Sequence, residues 1–242
     1  MLAADNLTLS FGRTVALASA SATVRRGEVV AVRGPSGSGK STMLQCMAGL
    51  VRPDSGVVTF DGTELTSLSG RRRSQLRLRQ FGFVFQNCEL VPELTLRENV
   101  MLPLELTGFP RARRAGRVAE LLDRLDIAWD ADRRPAQVSG GQAQRAAVAR
   151  AVAHRPGVVF ADEPTGALDR GNSTAVLDLL IALAREDDAA VVLVTHDATV
   201  AERADRTVEM CDGMTGRDRS HERAPEWRDG PVSTTGNGGT AR

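Results

Sequence analysis

One octapeptide, Gly34-Pro35-Ser36-Gly37-Ser38-Gly39-Lys40-Ser41, has the residue types and spacing that hold a polyphosphate. Its glycines let the backbone curl so that successive N–H groups face one anion. The helical stretch that follows, Thr42 to Leu50, aims the positive end of its dipole at the same place. Lys40 is expected to reach the outer phosphates and the Ser41 hydroxyl to meet Mg2+. Of the 31 Lys and Arg residues in the chain, Lys40 is the only lysine. A glycine-rich turn holding a lysine by accident is the bland alternative. The apolar, β-branched run Val29-Val30-Ala31-Val32 in front and the helical pattern behind argue against it.

A second group lies at the end of another apolar run, Val158-Val159-Phe160-Ala161-Asp162-Glu163. Open α/β sheets bind ligands at the carboxyl ends of their strands, so this pair of carboxylates is expected beside the phosphate loop. Asp162 is the candidate to hold Mg2+, directly or through water. Glu163 is the candidate base for an attacking water. A third group, Val138-Ser139-Gly140-Gly141-Gln142, opens a helix that runs through Arg145, Val148 and Val152. Ser139 suits an N-cap, and Gly140 and Gly141 leave backbone N–H groups open to an anion.

The elements that must carry these groups alternate. The runs 29–32, 158–161 and 191–194 are short and continuously apolar, the pattern of parallel strands covered by helices on both faces. Ala115, Val118, Leu122 and Leu125 fall on one helical face, and Leu177, Leu180, Ile181 and Ala184 on another. Leu7 to Phe11 alternates with period two, and Val57 to Phe60 runs into the turn pair Asp61-Gly62, so antiparallel strands are expected to flank the core. The fold class is therefore α/β: a phosphate-loop core with a mostly parallel sheet, an N-terminal antiparallel β subdomain and a helical insertion over about 94–153. Residues 1–212 are expected to form the domain. Residues 213–242, poor in apolar side chains, are expected to form a disordered tail.

Composition excludes several classes. The chain has 242 residues, 42% hydrophobic and 25% charged, enough to bury a full core. None of its apolar runs approaches the roughly 20 residues that cross a bilayer, and the N-terminus lacks a secretory pattern, so a cytoplasmic location is expected. Cys46, Cys88 and Cys211 form no metal-binding spacing. A net charge of +1 provides no field for nucleic acid, and Arg71-Arg72-Arg73 reads as a solvated face.

Ser139-Gly140-Gly141-Gln142, some 20 residues ahead of Asp162-Glu163, resembles the signature of ATP-binding cassette (ABC) proteins, and the resemblance extends from about Leu2 to Asp212. It implies further assignments. Gln86 resembles the glutamine that senses metal and γ-phosphate and faces a transmembrane partner. Ala167-Leu168-Asp169 resembles the loop that crosses a dimer interface, and His196, after Thr195, the switch histidine on the γ-phosphate. Phe11 stands where the family usually stacks a tyrosine on adenine, and Val138 where its signature has leucine. The resemblance implies ATP and Mg2+ as ligands, a second copy or a related ATP-binding subunit completing each site, and transmembrane permease subunits as partners at the inner face of the membrane. Phe81 to Gln86, Leu90 to Thr95, Glu98-Asn99-Val100 and Ala161 to Gly166 are similar to the lipoprotein-release and macrolide or antimicrobial-peptide export branch. The competing class is a soluble ABC ATPase working on ribosomes or DNA. Those proteins carry two cassettes or a long coiled-coil insertion, whereas 98 residues lie between Lys40 and Ser139 here.

Overall fold

The computed structural model describes residues 1–164 and 170–220, with side chains at 170–173 and 217–220 left aside. In chain order the elements are β1 (Leu2–Phe11), β2 (Thr14–Val24), β3 (Val29–Arg33), α1 (Lys40–Met47), β4 (Ser55–Phe60), β5 (Thr63–Glu64), α2 (Gly70–Gln80), β6 (Phe81–Val84), α3 (Leu96–Leu106), α4 (Arg111–Arg124), α5 (Gly140–Val152), β7 (Val158–Asp162), α6 (Arg170–Glu186), β8 (Ala190–Thr195), α7 (Ala198–Ala201), β9 (Arg206–Cys211) and β10 (Met214–Ser220). Two short 3-10 turns, Ala128–Asp130 and Pro135–Gln137, separate α4 from α5.

One sheet has the order β10-β9-β3-β8-β7-β6, parallel except for the edge strand β10. The other is antiparallel, β2-β1-β4-β5. Strand side chains alternate between faces, and here both faces of the parallel sheet are buried. Val30, Val32, Phe160, Val192 and Val194 pack with α1 and the antiparallel sheet. Val29, Ala31, Val159, Ala161, Val191 and Leu193 pack with α3 to α6. That two-sided burial is why these strands are apolar at every position. The stretch expected to be helical supplies α3, α4 and α5; of the expected stripe Val118, Leu122 and Leu125 are buried, joined by Leu121, whereas Ala115, a turn nearer the start of α4, is exposed.

The expected tail needs correction. The chain does not leave the domain at Asp212: Met214–Ser220 forms β10, antiparallel to β9, with Cys211 opposite Met214 and Ser220 opposite Arg206. Asp212 and Gly213 both have positive φ, 49° and 75°, as a two-residue hairpin turn requires. Gly213 also donates its N–H to the Ser38 carbonyl at 3.0 Å and accepts from Ala18 N at 2.7 Å, tying this turn to the phosphate loop. An edge strand needs ladder hydrogen bonds rather than an apolar face, so its polar composition hid it. The rest of the expected tail, 221–242, lies outside the described residues.

Candidate active site

The loop at the end of β3 is shaped by its own neighbours. A Cβ on Gly34 would lie 2.0 Å from the Met210 carbonyl oxygen, and one on Gly39 2.3 Å from that of Ala16. Gly39 also has φ of 98°, which glycine alone adopts freely. Lys40 opens α1, is only 8% exposed, and donates from Nζ to the carbonyls of Gly34 at 2.9 Å and Pro35 at 2.8 Å. The ammonium is thus held over the mouth of its own loop. A cavity of about 430 Å3 lies against Gly37, Gly39, Lys40, Ser41 and Thr42, with Ser36 at its rim.

The opposite wall comes from the ends of β7 and β8. Asp162 pairs with Val194 in parallel register, which brings the residues just beyond them together. Ser41 Oγ donates to Asp162 Oδ1 at 3.1 Å. Burial pushes the Asp162 carboxyl above its ordinary value of 3.8, the neighbouring Glu163 adds to this, and the Ser41 bond and Lys40 oppose it. Glu163 has a positive φ of 46°, fixed by its N–H on the Val194 carbonyl at 2.9 Å. Its Oε1 accepts from the His196 backbone N–H at 3.1 Å and lies 2.7 Å from His196 Nδ1. Glu163 is largely covered, its side chain 19% exposed, while that of His196 is 73% exposed. Gln86, Glu163 and His196 line the same cavity as Lys40. The Ser41 hydroxyl, the Asp162 carboxylate and the Gln86 amide offer the hard oxygen donors that suit Mg2+, so the site fits that ion.

Two expected groups stand elsewhere. Phe11 ends β1 opposite Thr14, is 55% exposed and does not line the cavity; Thr14, Val15 and Ala16 form that wall instead. No periodicity distinguishes Val15, since its position follows from how the β1–β2 hairpin is set over the loop. Ser139, Gly140, Gly141 and Gln142 are absent from the cavity. Ser139 caps α5, accepting from Gln142 N at 3.3 Å, while Gln142 Oε1 accepts from Ser139 N at 2.8 Å and its amide nitrogen donates to Asp130. The Ser139 hydroxyl proton stays free to donate outward. Asp169, with Ala167 and Leu168, lies outside the described residues.

The family model described as ABC transporter matches residues 17–166, which includes the loop, Ser139–Gln142 and Asp162-Glu163. The chain belongs to the ABC transporter family. Its relatives agree with this cassette. It is 40% identical over 213 residues to the lipoprotein-releasing system ATP-binding protein LolD of Bacteroides fragilis, spanning 88% of this chain and 99% of that one. It is 45% identical to the macrolide export ATP-binding/permease protein MacB of Rhodopseudomonas palustris, over 90% of this chain and 34% of that longer one. The dimeric, post-hydrolysis structure of the ATP-binding cassette MJ0796 bound to ADP and Pi superposes with a TM-score of 0.83 at 37% identity, covering 91% of this chain and 98% of that chain. The ABC cassette is an ATPase, the motor subunit that powers a membrane permease. Among the described residues no helix is long and apolar enough to cross a membrane.

Proposed function

We propose that this cassette powers a transporter of the lipoprotein-release or macrolide-export kind from the inner face of the membrane, with Glu163 as the base that activates water. The observation that carries the base assignment is the 2.7 Å contact of Glu163 with His196 across the cavity from Lys40. In this reading the N–H groups of 37–42 and the Lys40 ammonium hold the β- and γ-phosphates, with Pro35 and Ser36 shaping the loop. Ser41, Gln86 and Asp162 would hold Mg2+, which would neutralise charge on the two outer phosphates. Glu163 takes the proton of the attacking water, and His196 fixes the carboxylate and the γ-phosphate. Phe11, at the hairpin end, and Val15, 60% exposed, flank the adenine.

Ser139, Gly140 and Gly141 point no donor into their own chain's cavity. They serve the site of a second copy or a related cassette, with Gln142 holding the turn and Asp169 near the interface. A Cβ on Gly140 would meet nothing within 4 Å. Nothing in its own chain therefore requires a glycine here, and in this reading the open position admits the partner's nucleotide. Nucleotide binding closes such a pair and hydrolysis reopens it, since a ligand shifts an equilibrium by its differential affinity for the two states.

The permease has a fitting seat. A groove of about 410 Å3 lies between α2, β6 and α3, floored by Phe83 and Phe85, whose rings stack at 5.7 Å, and flanked by Leu78 and Leu106. Leu106 is 58% exposed. Phe85 precedes Gln86, so a permease segment seated here would press on the backbone next to the phosphate cavity.

The test is Glu163→Gln. General-base loss lowers turnover by about a hundredfold or more, while Mg-ATP still binds and the variant accumulates as a dimer by size-exclusion chromatography. Turnover equal to the parent would remove Glu163 from the mechanism.

A further inference from the structure

The turn that presents Gln86 and the segment that presents Glu163 share one buried side chain. Gln144, on α5, is 1% exposed and is among the few polar residues in the core. Its amide nitrogen donates to the Pro164 carbonyl at 2.6 Å, and its amide oxygen accepts from the Cys88 thiol at 2.7 Å. The orientation is fixed by chemistry: the Pro164 carbonyl can only accept, so the NH2 faces it and the oxygen is left for the thiol.

Each end of this tie is next to the cavity. Cys88 N bonds to Phe85 O at 3.1 Å, closing a turn whose two central residues are Gln86 and Asn87. Pro164 directly follows Glu163. The Cys88 end is also conformationally costly, because Cys88 and Glu89 are consecutive non-glycine residues at φ of 60° and 44°. Such backbone persists only where its surroundings over-determine it. The same helix supplies the second restraint: Arg150 donates to the Glu89 carbonyl at 2.6 Å and the Cys88 carbonyl at 3.0 Å. Thus α5, which follows the Ser139 cap, grips the Gln86 turn at two points and the Glu163 segment at one.

We infer that Gln144 is a positioning residue, a tie through Cys88 and Pro164 that keeps Gln86 and Glu163 in register with each other and with the helix that Ser139 caps. This rests on the roles proposed above for Gln86 and Glu163. Gln144 touches no substrate; it acts through the two segments it joins. Its effect therefore falls on the chemical step and not on nucleotide capture, which Lys40 and the loop amides carry.

The experiment is steady-state ATP hydrolysis by the full chain carrying Gln144→Met, which keeps the side-chain length and removes both hydrogen bonds. The expected result is a kcat lowered about tenfold with KM for ATP within about twofold of the parent, the pattern of a lost transition-state interaction. Cys88→Ala lowers kcat in the same sense, and Cys88→Ser, which keeps a donor, restores most of it. If Gln144→Met does not fold, the Cys88 pair makes the same decision. A parental kcat in Gln144→Met, or no difference between Cys88→Ala and Cys88→Ser, overturns the tie. Glu163→Gln is assayed alongside. If it is inactive while Gln144→Met is fully active, the tie alone is wrong; if it turns over normally, the roles on which the tie depends fall first.

Discussion

The phosphate loop and the turn at Ser139 are both glycine-bearing helix N-termini, yet the molecule explains only one of them from within. At Gly34 and Gly39 the space for a Cβ is already taken by backbone carbonyls of Met210 and Ala16. Lys40 closes on two carbonyls of its own loop, and the β9–β10 turn bonds to Ser38. At Gly140 the same space is open, and the polar side chains of Ser139 and Gln142 satisfy each other and Asp130. A glycine required by its own fold and a glycine left open differ in what they serve. The first makes a cradle, and under the proposed function the second leaves room for something that approaches from another molecule.

Alanine separates the two most sharply. In Gly34→Ala the new methyl meets a backbone oxygen at 2.0 Å, which no side-chain rotation relieves. Clashes of this class cost about 4 kcal/mol or more, so the protein is expected to be largely unfolded or to melt far below the parent by circular dichroism. Gly140→Ala has the opposite sign for stability. It gains less than the roughly 1 kcal/mol that alanine gains over glycine inside a helix, and still loses turnover, by about a hundredfold if a γ-phosphate contact of oxyanion-hole strength is blocked. Mixing Gly140→Ala with Lys40→Ala sharpens this further. Head-to-tail pairing leaves one site of each mixed dimer with Lys40 from one copy and Gly140 from the other, so the mixture is expected to regain activity that neither variant has alone. A mixture as inactive as its components would mean that the turn at Ser139 serves its own chain.

The same contrast explains what could be read in advance. The strands β3, β7 and β8 were legible because burial on both faces leaves a signal at every position, from Val29 to Val32, Val158 to Ala161 and Val191 to Val194. Glu163 and His196 were legible as strand-end residues, and the parallel register of Asp162 with Val194 brings them within hydrogen-bond reach. Other parts left weaker traces. Helix α2 fully buries none of its residues and so lacks a clear apolar stripe; Leu76 packs half-buried against the core, and a Ser69 cap and the Arg77 bond to the Gly49 carbonyl help to hold it. Strand β10 is held by ladder bonds at a sheet edge, and its only local sign was the Asp212-Gly213 pair. Val15 reaches the cavity and Phe11 does not because of hairpin placement, which one strand's period cannot encode. Gln144 lies two positions beyond Gln142, and only the approach of Cys88 and Pro164 in space gives it two partners.

The smallest expected effect concerns electrostatics, where the cradle again carries a cost that the open turn does not. Burial, and then Glu163, raise the Asp162 pKa above 3.8 in the folded protein. The folded state then binds a proton more tightly than the unfolded state, so this group's contribution to stability falls as pH climbs from 3.8 through the raised value. At neutral pH the ionised carboxylate is a net cost in the nucleotide-free protein, offset in part by Ser41 and Lys40. Asp162→Asn removes the charge and keeps an oxygen for the Ser41 hydroxyl. Its melting temperature at pH 7 is expected to exceed the parent's, the difference shrinking as the pH is lowered toward 4, while Mg-dependent turnover is lost. Millimolar Mg-ATP should then stabilise the parent more than the variant, because the cation uses the carboxylate that folding alone leaves partly unsatisfied. A variant that melts below the parent at neutral pH would show instead that the ionised Asp162 stabilises the empty cradle, and the contrast between the two glycine turns would then rest on shape alone.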